Sequence, residues 1–288
     1  PLILIVAFLL RKRKKEIGKK TRIAGVVLQL ALLFAFCWWG IPKYGDRKSA
    51  KVKELDYYAR TEQWDKILDA SKGTLTNYLN MCYLNLALAQ RGELADQMFN
   101  FDQRGPQGLM VGWNKTEQIS SLLSDIAFAM GNSAMAQEMA FEAYATAIGE
   151  GNPRMLKRLV QTNIIYGEYQ VAEKYLNILG NTVYYKNWAD EHRKFLYNDA
   201  AVEQDSALGS RRKCLPKENY LSEINYMEKD LCMVAEANPK NKAAIQYLGA
   251  LYLLAKNMDG FKKMVETYYG TEVLPSLPKS FQEAVITL

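Results

Sequence analysis

The 288-residue chain has a single histidine, His192, and four cysteines with no C-x-x-C pair. Zinc sites and His-based catalytic sets draw on these residue types, so their scarcity removes the commonest metal and nucleophile frameworks. Cys37 falls in an apolar run, while Cys82, Cys214 and Cys232 lie far apart, and a small buried side chain is the simplest reading of each. No G-x-x-x-x-G-K-[ST], H-E-x-x-H or G-x-G-x-x-G occurs, so phosphate-loop, zincin and dinucleotide chemistry have no basis here. No cofactor and no metal are expected, and no catalytic constellation assembles from this segment. Strand signals are nearly absent after Ser49.

Acidic residues are missing from one place. Residues 1–22 carry eight Lys/Arg against Glu16 alone, and residues 23–288 carry 29 basic and 30 acidic side chains. The net charge of +6 and the pI of 8.9 therefore belong to one short segment. A body with balanced charge has no general attraction for phosphate backbones, and no nucleic-acid partner is expected.

With 49% hydrophobic and 24% charged residues, the chain can bury a sizeable core. Its first residue, Pro1, opens into an apolar run, Leu2 to Leu10, which reads as the end of a preceding transmembrane helix and the chain as part of a longer protein. Residues 11–22 form a basic loop. Residues 23–41 hold no charge and only Gln29 as a strongly polar side chain. At about 1.5 Å per residue, those 19 residues span about 28 Å, close to a bilayer core, so a membrane-spanning helix is expected. Trp38 and Trp39 mark a membrane interface, and Pro42 is expected to stop the helix. A signal peptide is the rival reading, but no A-x-A cleavage pattern follows the run. The positive-inside bias puts the basic loop in the cytoplasm and everything after Ile41 outside.

From Ser49 on, apolar residues recur at spacings of three and four, and Gly, Asn or Pro punctuates every 12 to 20 residues. Helices are expected near 49–60, 62–72, 75–91, 93–101, 116–130, 133–148, 153–166, 168–179, 183–200, 217–237, 241–256 and 258–269. Turns align at Thr61, Gly92, Gly131, Gly167 and Asn257, with gaps of 31, 39, 36 and 90. The first three approximate one repeat of about 34 residues.

On these residues the chain resembles the tetratricopeptide repeat. Gly167, Tyr169, Ala172 and Tyr175 reproduce G-x-Y-x-x-A-x-x-Y, and Gly131 and Ala136 keep the glycine and alanine. Leu84, Leu86, Ala87, Leu88 and Ala89 precede Gly92, and Tyr247, Leu248, Gly249 and Tyr252 precede Asn257, as first-half signatures. The expected fold is all-α: a transmembrane helix, tetratricopeptide-like repeats over 49–180, and irregular helical repeats over 181–288 continuing one antiparallel superhelix. Segments 59–68, 94–109, 151–176 and 244–256 also resemble an uncharacterised family of bacterial polytopic membrane proteins with a helical-repeat tail. That resemblance implies further spans before Pro1 and a cell-envelope setting, a bacterial inner-membrane protein with the repeats in the periplasm if the cell has two membranes, and brings no activity with it.

Two stretches exceed what a bare repeat needs. Asp102 to Thr116 is a long connection containing Arg104 and Trp113, which either carries function or covers a repeat edge. In 184–195, Tyr184, Trp188 and His192 recur every four residues beside Arg193 and Lys194, as core packing or as an aromatic and cationic strip for a peptide or sugar. Arg104, Trp113, Trp188, His192 and Arg193 are the candidate binding residues. The expected function is a membrane-anchored, extracytoplasmic module for protein or peptide binding. The alternative is an accessory domain of a glycosyltransferase-like membrane enzyme or a transporter whose active part precedes Pro1.

Overall fold

The computed structural model describes residues 18–149, 151–216 and 227–287. The apolar stub 1–10, the basic segment 11–17 and the start of the helix expected over 217–237 lie outside these residues. Among the described residues every regular element is helical, and an isolated bridge between Tyr269 and Leu274 is the one β-type pairing. The chain divides into two units, Pro1–Ala50 and Lys51–Leu288.

In the first unit, α1 (Lys19–Tyr44) is a single 26-residue helix with no buried residue. Its mean hydropathy of 2.0 over an 18-residue window makes it long and apolar enough to cross a membrane. Pro42 does not stop it. The helix runs two residues further, and the Gly45 N–H donates to Ile41 O at 2.9 Å, because a proline in the last turn removes one bond to Trp38 without preventing the next from closing.

In the second unit, the chain runs through pairs of helices. Arg47–Arg60 (α2, which begins in the first unit) is followed by Trp64–Ala70 (α3), Tyr78–Gln90 (α4) by Leu94–Gln97 (α5), Glu117–Met130 (α6) by Ser133–Thr146 (α7), and Pro153–Tyr166 (α8) by Tyr169–Gly180 (α9). Each turn has a local cause. After α6, Gly131 adopts a left-handed φ of 90°, and Asn132 then caps α7 by accepting from Met135 N at 3.0 Å. A side chain at Gly131 would also meet Asn241 and Cys214, so this glycine answers both a backbone and a packing need. Ala136, Ala140 and Ala143 let α7 lie close to α6, and the Ser124 hydroxyl donates to Ala136 O at 2.7 Å across that interface. Two turns differ from expectation by one residue. The left-handed positions are Glu62 rather than Thr61 and Lys256 rather than Asn257, because Asn257 serves as the N-cap of the next helix.

After α9 come three short helices. The helix expected over 183–200 is broken into α10 (Lys186–His192), a 3-10 turn (Arg193–Phe195) and α11 (Asp199–Gln204), because Tyr197 takes a φ of 55° and Asn198 caps a fresh start. α12 (Leu208–Arg212) follows, then α13 (Met227–Ala237), α14 (Lys242–Ala255), α15 (Met258–Tyr268) and α16 (Lys279–Val285). In an open solenoid each pair touches only its neighbours. Here α14 packs on α13 and α15 and also returns to α4, α5 and α6, while α16 packs on α5. Gln246 donates to Gly92 O at 2.9 Å, Asn241 to Met130 O at 2.8 Å, and the Lys279 N–H to Asp96 at 2.9 Å. Gly249 makes room for α16 against α14. An added Cβ would stand 2.1 Å from the Phe281 ring, which is fully buried between α14 and α15 and meets Phe261 edge-on.

Candidate functional site: a cation and aromatic strip across α8

The first helices of successive pairs are tied together by charge. On α8, Arg154 reaches Asp56 of α2 at 2.7 Å and Asp125 of α6, and the Tyr83 hydroxyl of α4 donates to Asp56 at 3.1 Å. Arg158, one turn on, donates to the same Asp125 at 3.0 Å and to Gln161 at 2.9 Å. The Arg154, Asp125 and Arg158 side chains are each 15% exposed, so these contacts are sheltered from the screening that weakens surface pairs. Four helices thus share one cross-linked face.

The spacing of Arg154, Lys157 and Arg158 puts all three on one side of α8. Beyond Arg154 the partners become aromatic. The Arg158 guanidinium lies 3.6 Å from the centre of the Phe128 ring, and Arg211 of α12 lies 3.9 Å from the same ring. Lys157 sits 4.8 Å from the Trp188 ring centre and 6.0 Å from that of Tyr185. Trp188 stacks on His192 at 3.7 Å, and His192 meets Phe195 at 5.7 Å. Cations and rings therefore alternate along a strip from α12 to the 3-10 turn after α10.

Arg211 and Arg212 hold α12 in place. Arg211 Nε donates to Phe128 O at 2.7 Å, near the C-terminus of α6. Arg212 donates to Ile164 O and Ile165 O at 2.6 and 3.1 Å, near the C-terminus of α8, and to Asp199 at 2.7 Å. Each arginine meets last-turn carbonyls at the negative end of a different helix.

The electrostatics split the strip in two. At Arg154 burial opposes the charge, but Asp125 and Asp56 outweigh it and raise the pKa. At Arg158 burial wins over Asp125 and lowers it. Burial and the neighbouring Arg158 bring Arg211 down to about 10, and burial with Arg158 also lowers Lys157. His192 is lowered by burial, against a hydrogen bond to Trp188 O at 2.8 Å. A carbonyl only accepts, so His192 Nδ1 carries a proton and Nε2 is the acceptor of the neutral ring.

Of the five candidate residues, Trp188, His192 and Arg193 fall together at this strip, with Arg193 at its edge, bonded to Asn177 at 2.8 Å. Tyr184 does not share the face with them; it is 91% exposed, because α10 starts only at Lys186. Arg104 and Trp113 lie in the long connection, each with its own partners. Arg104 pairs with Asp102 at 3.5 Å, and Trp113 Nε1 donates to the buried Ser120 hydroxyl at 3.1 Å. The connection is itself fastened to α4. Buried Asn85 donates to Gly108 O at 2.9 Å and exchanges two 3.0 Å bonds with Gln103. An open groove of about 380 Å³ runs between this connection and α14, lined by Met110, Val111, Leu251 and Tyr252. Its carboxylate, Glu228, already accepts from the Tyr252 hydroxyl at 2.9 Å.

Sequence reasoning missed Lys157, Arg158, Phe128 and Arg211. The R-x-x-K-R run at 154–158 was legible as one helix face, but only folding shows which rings it meets. Trp38 and Trp39 lie on α1, 77% and 55% exposed.

Over its whole length, residues 1–288, the sequence matches a family of unknown function, DUF6057. The chain belongs to that family. No curated protein and no solved structure matches it. DUF6057 carries no activity in its description, so the chemistry of this DUF6057 chain has to be read from its own side chains. Among the described residues, no group of three or more His, Cys, Asp or Glu converges as a metal site would require.

Proposed function

We propose that this chain is a membrane-tethered, tetratricopeptide-like module that binds a protein or peptide partner along the strip across α8. The observation that carries the reading is the cross-linked face. Asp56, Tyr83, Asp125, Arg154 and Arg158 fasten four helices together, and aromatic rings pack against Lys157, Arg158 and Arg211 beside them. A surface ordered before binding loses little entropy on contact, and aromatic and arginine side chains are the types that dominate binding energy at interfaces. α1 supplies the tether, and the basic residues before it favour a cytoplasmic start with the second unit on the outer side. The repeat-like pairs α2/α3 to α8/α9 place their first helices on the shared face, as a tetratricopeptide-like arrangement would.

A photo-crosslinking residue at Arg193, in the full chain in its native membrane, should give a discrete adduct. The same residue at exposed Lys262 on α15 should not. Equal adducts at both positions, or none at Arg193, overturn the reading. Alkaline phosphatase fused after Leu288 should be active; an inactive enzyme reverses the orientation.

A further inference from the structure

The cations of the strip outnumber their carboxylates. Arg154, Lys157, Arg158 and Arg211 are four positive groups, and Asp56 and Asp125 are the two carboxylates in ion-pair contact with them. Arg154 takes both and Arg158 shares one. Among the described residues no carboxylate lies within ion-pair distance of Lys157 or Arg211. Donors are left over as well. Arg211 uses Nε for Phe128 O and Nη1 for Ala207 O, and among the described residues neither its Nη2 nor Lys157 Nζ has a hydrogen-bond acceptor. Arg158 Nε, between them, is buried without an acceptor. Half-buried cations without counter-charges are costly in the free protein, and a ligand carboxylate relieves that cost.

We propose that Lys157 and Arg211, flanking Arg158, bind the carboxylates of an acidic peptide segment, with Trp188, Tyr185 and Phe128 as the apolar floor. The inference rests on the peptide-binding reading above and names the chemistry of its partner. Carboxylates suit the site better than phosphates, because Asp56 and Asp125 remain close and repel a dianion more than a monoanion. The rings beneath the cations match the apolar parts of a peptide, which an inorganic ion lacks. Burial is the main cause that lowers the pKa values of Lys157, Arg158 and Arg211, so these cations are poorly solvated in the free protein.

The test uses the full chain in phosphatidylcholine nanodiscs and an array of decapeptides graded in Glu content, each paired with its Gln counterpart. Acidic peptides should bind about tenfold or more tightly than their Gln counterparts, as hydrogen bonds to charged groups require, and added salt should weaken them. Lys157→Gln should weaken acidic peptides about tenfold with an unchanged melting temperature. Arg211→Gln also loses a helix contact, so Arg211→Lys, which keeps the charge and loses the planar fork, serves as the second variant and should weaken them less. Equal binding of Glu and Gln peptides overturns the carboxylate inference but leaves the binding module standing. Capture of no peptide also overturns it, while the Arg193 adduct separately decides whether a partner exists. Displacement of the peptide by millimolar inorganic phosphate, or by phosphatidylglycerol in the nanodisc, overturns it in favour of a phosphate or a lipid headgroup.

Discussion

The paired helices α2 to α9 and the short helices α10 to α12 are held by different means. In the first region each turn is encoded next to itself, by Gly131 with Asn132 or by Gly167 at a φ of 79°. In the second, the elements are five to seven residues long, comparable to α3 and α5, and no left-handed glycine separates them. α12 stays in place because Arg211 and Arg212 grip the ends of α6 and α8, with α11 packed on it, while α10 packs on α9. Regular helix pairs can be read from periodicity, whereas docked fragments depend on partners 47 to 83 residues away, such as Phe128 for Arg211.

The largest effect that would test this contrast lies outside both regions. Phe281→Ala empties a fully buried site where α16 meets α14, and should destabilise the second unit by about 3 to 5 kcal/mol. Because α14 returns to α4–α6, chemical denaturation should show one shifted transition. A separate early transition, with the rest unchanged, would mean that the C-terminal helices form a satellite rather than a part of the core.

Arg212→Met removes charged hydrogen bonds to Ile164 O, Ile165 O and Asp199 and should cost about 1.5 to 3 kcal/mol. The loss should be regional. Hydrogen exchange should rise over α11 and α12 while α6 and α7 stay protected; uniform loosening would erase the distinction between locally and remotely held helices.

The smallest effect concerns pH. His192 has a folded pKa below its ordinary value of 6.5, so the unfolded chain binds its proton more readily. Stability from this group is therefore present above pH 6.5 and lost as pH falls through 6.5 toward the lowered folded value. Melting curves of His192→Gln should show a shallower loss than the parent in that window. Identical pH profiles would place His192 in a more solvated setting than its stacking on Trp188 implies.

Much of the architecture was legible in advance, for reasons specific to the residues concerned. The uninterrupted apolar run 23–41 allows only a long apolar helix, and the repeat-like residues Leu84, Leu86, Ala87, Leu88 and Ala89 before Gly92 mark a helix and its turn within one short window. At the candidate site, the aromatic half was visible through Trp188 and His192 at a helical interval. Its cationic half was not, since Arg154, Lys157 and Arg158 read equally well as a solvated face until Phe128 and Trp188 are brought against them.

By itself the sequence determined the all-helical class, the long apolar helix and the positions of most paired turns, because helix periodicity, apolar length and left-handed caps are properties of neighbouring residues. The tertiary structure alone decided the return of α14 and α16 onto the first pairs, the seating of α12 on Arg211 and Arg212, and the joining of Arg158, Phe128 and Arg211 into one strip. Each of these depends on groups far apart in the chain meeting at contact distance, and such meetings are chosen by how the whole core packs and by which buried donors find acceptors.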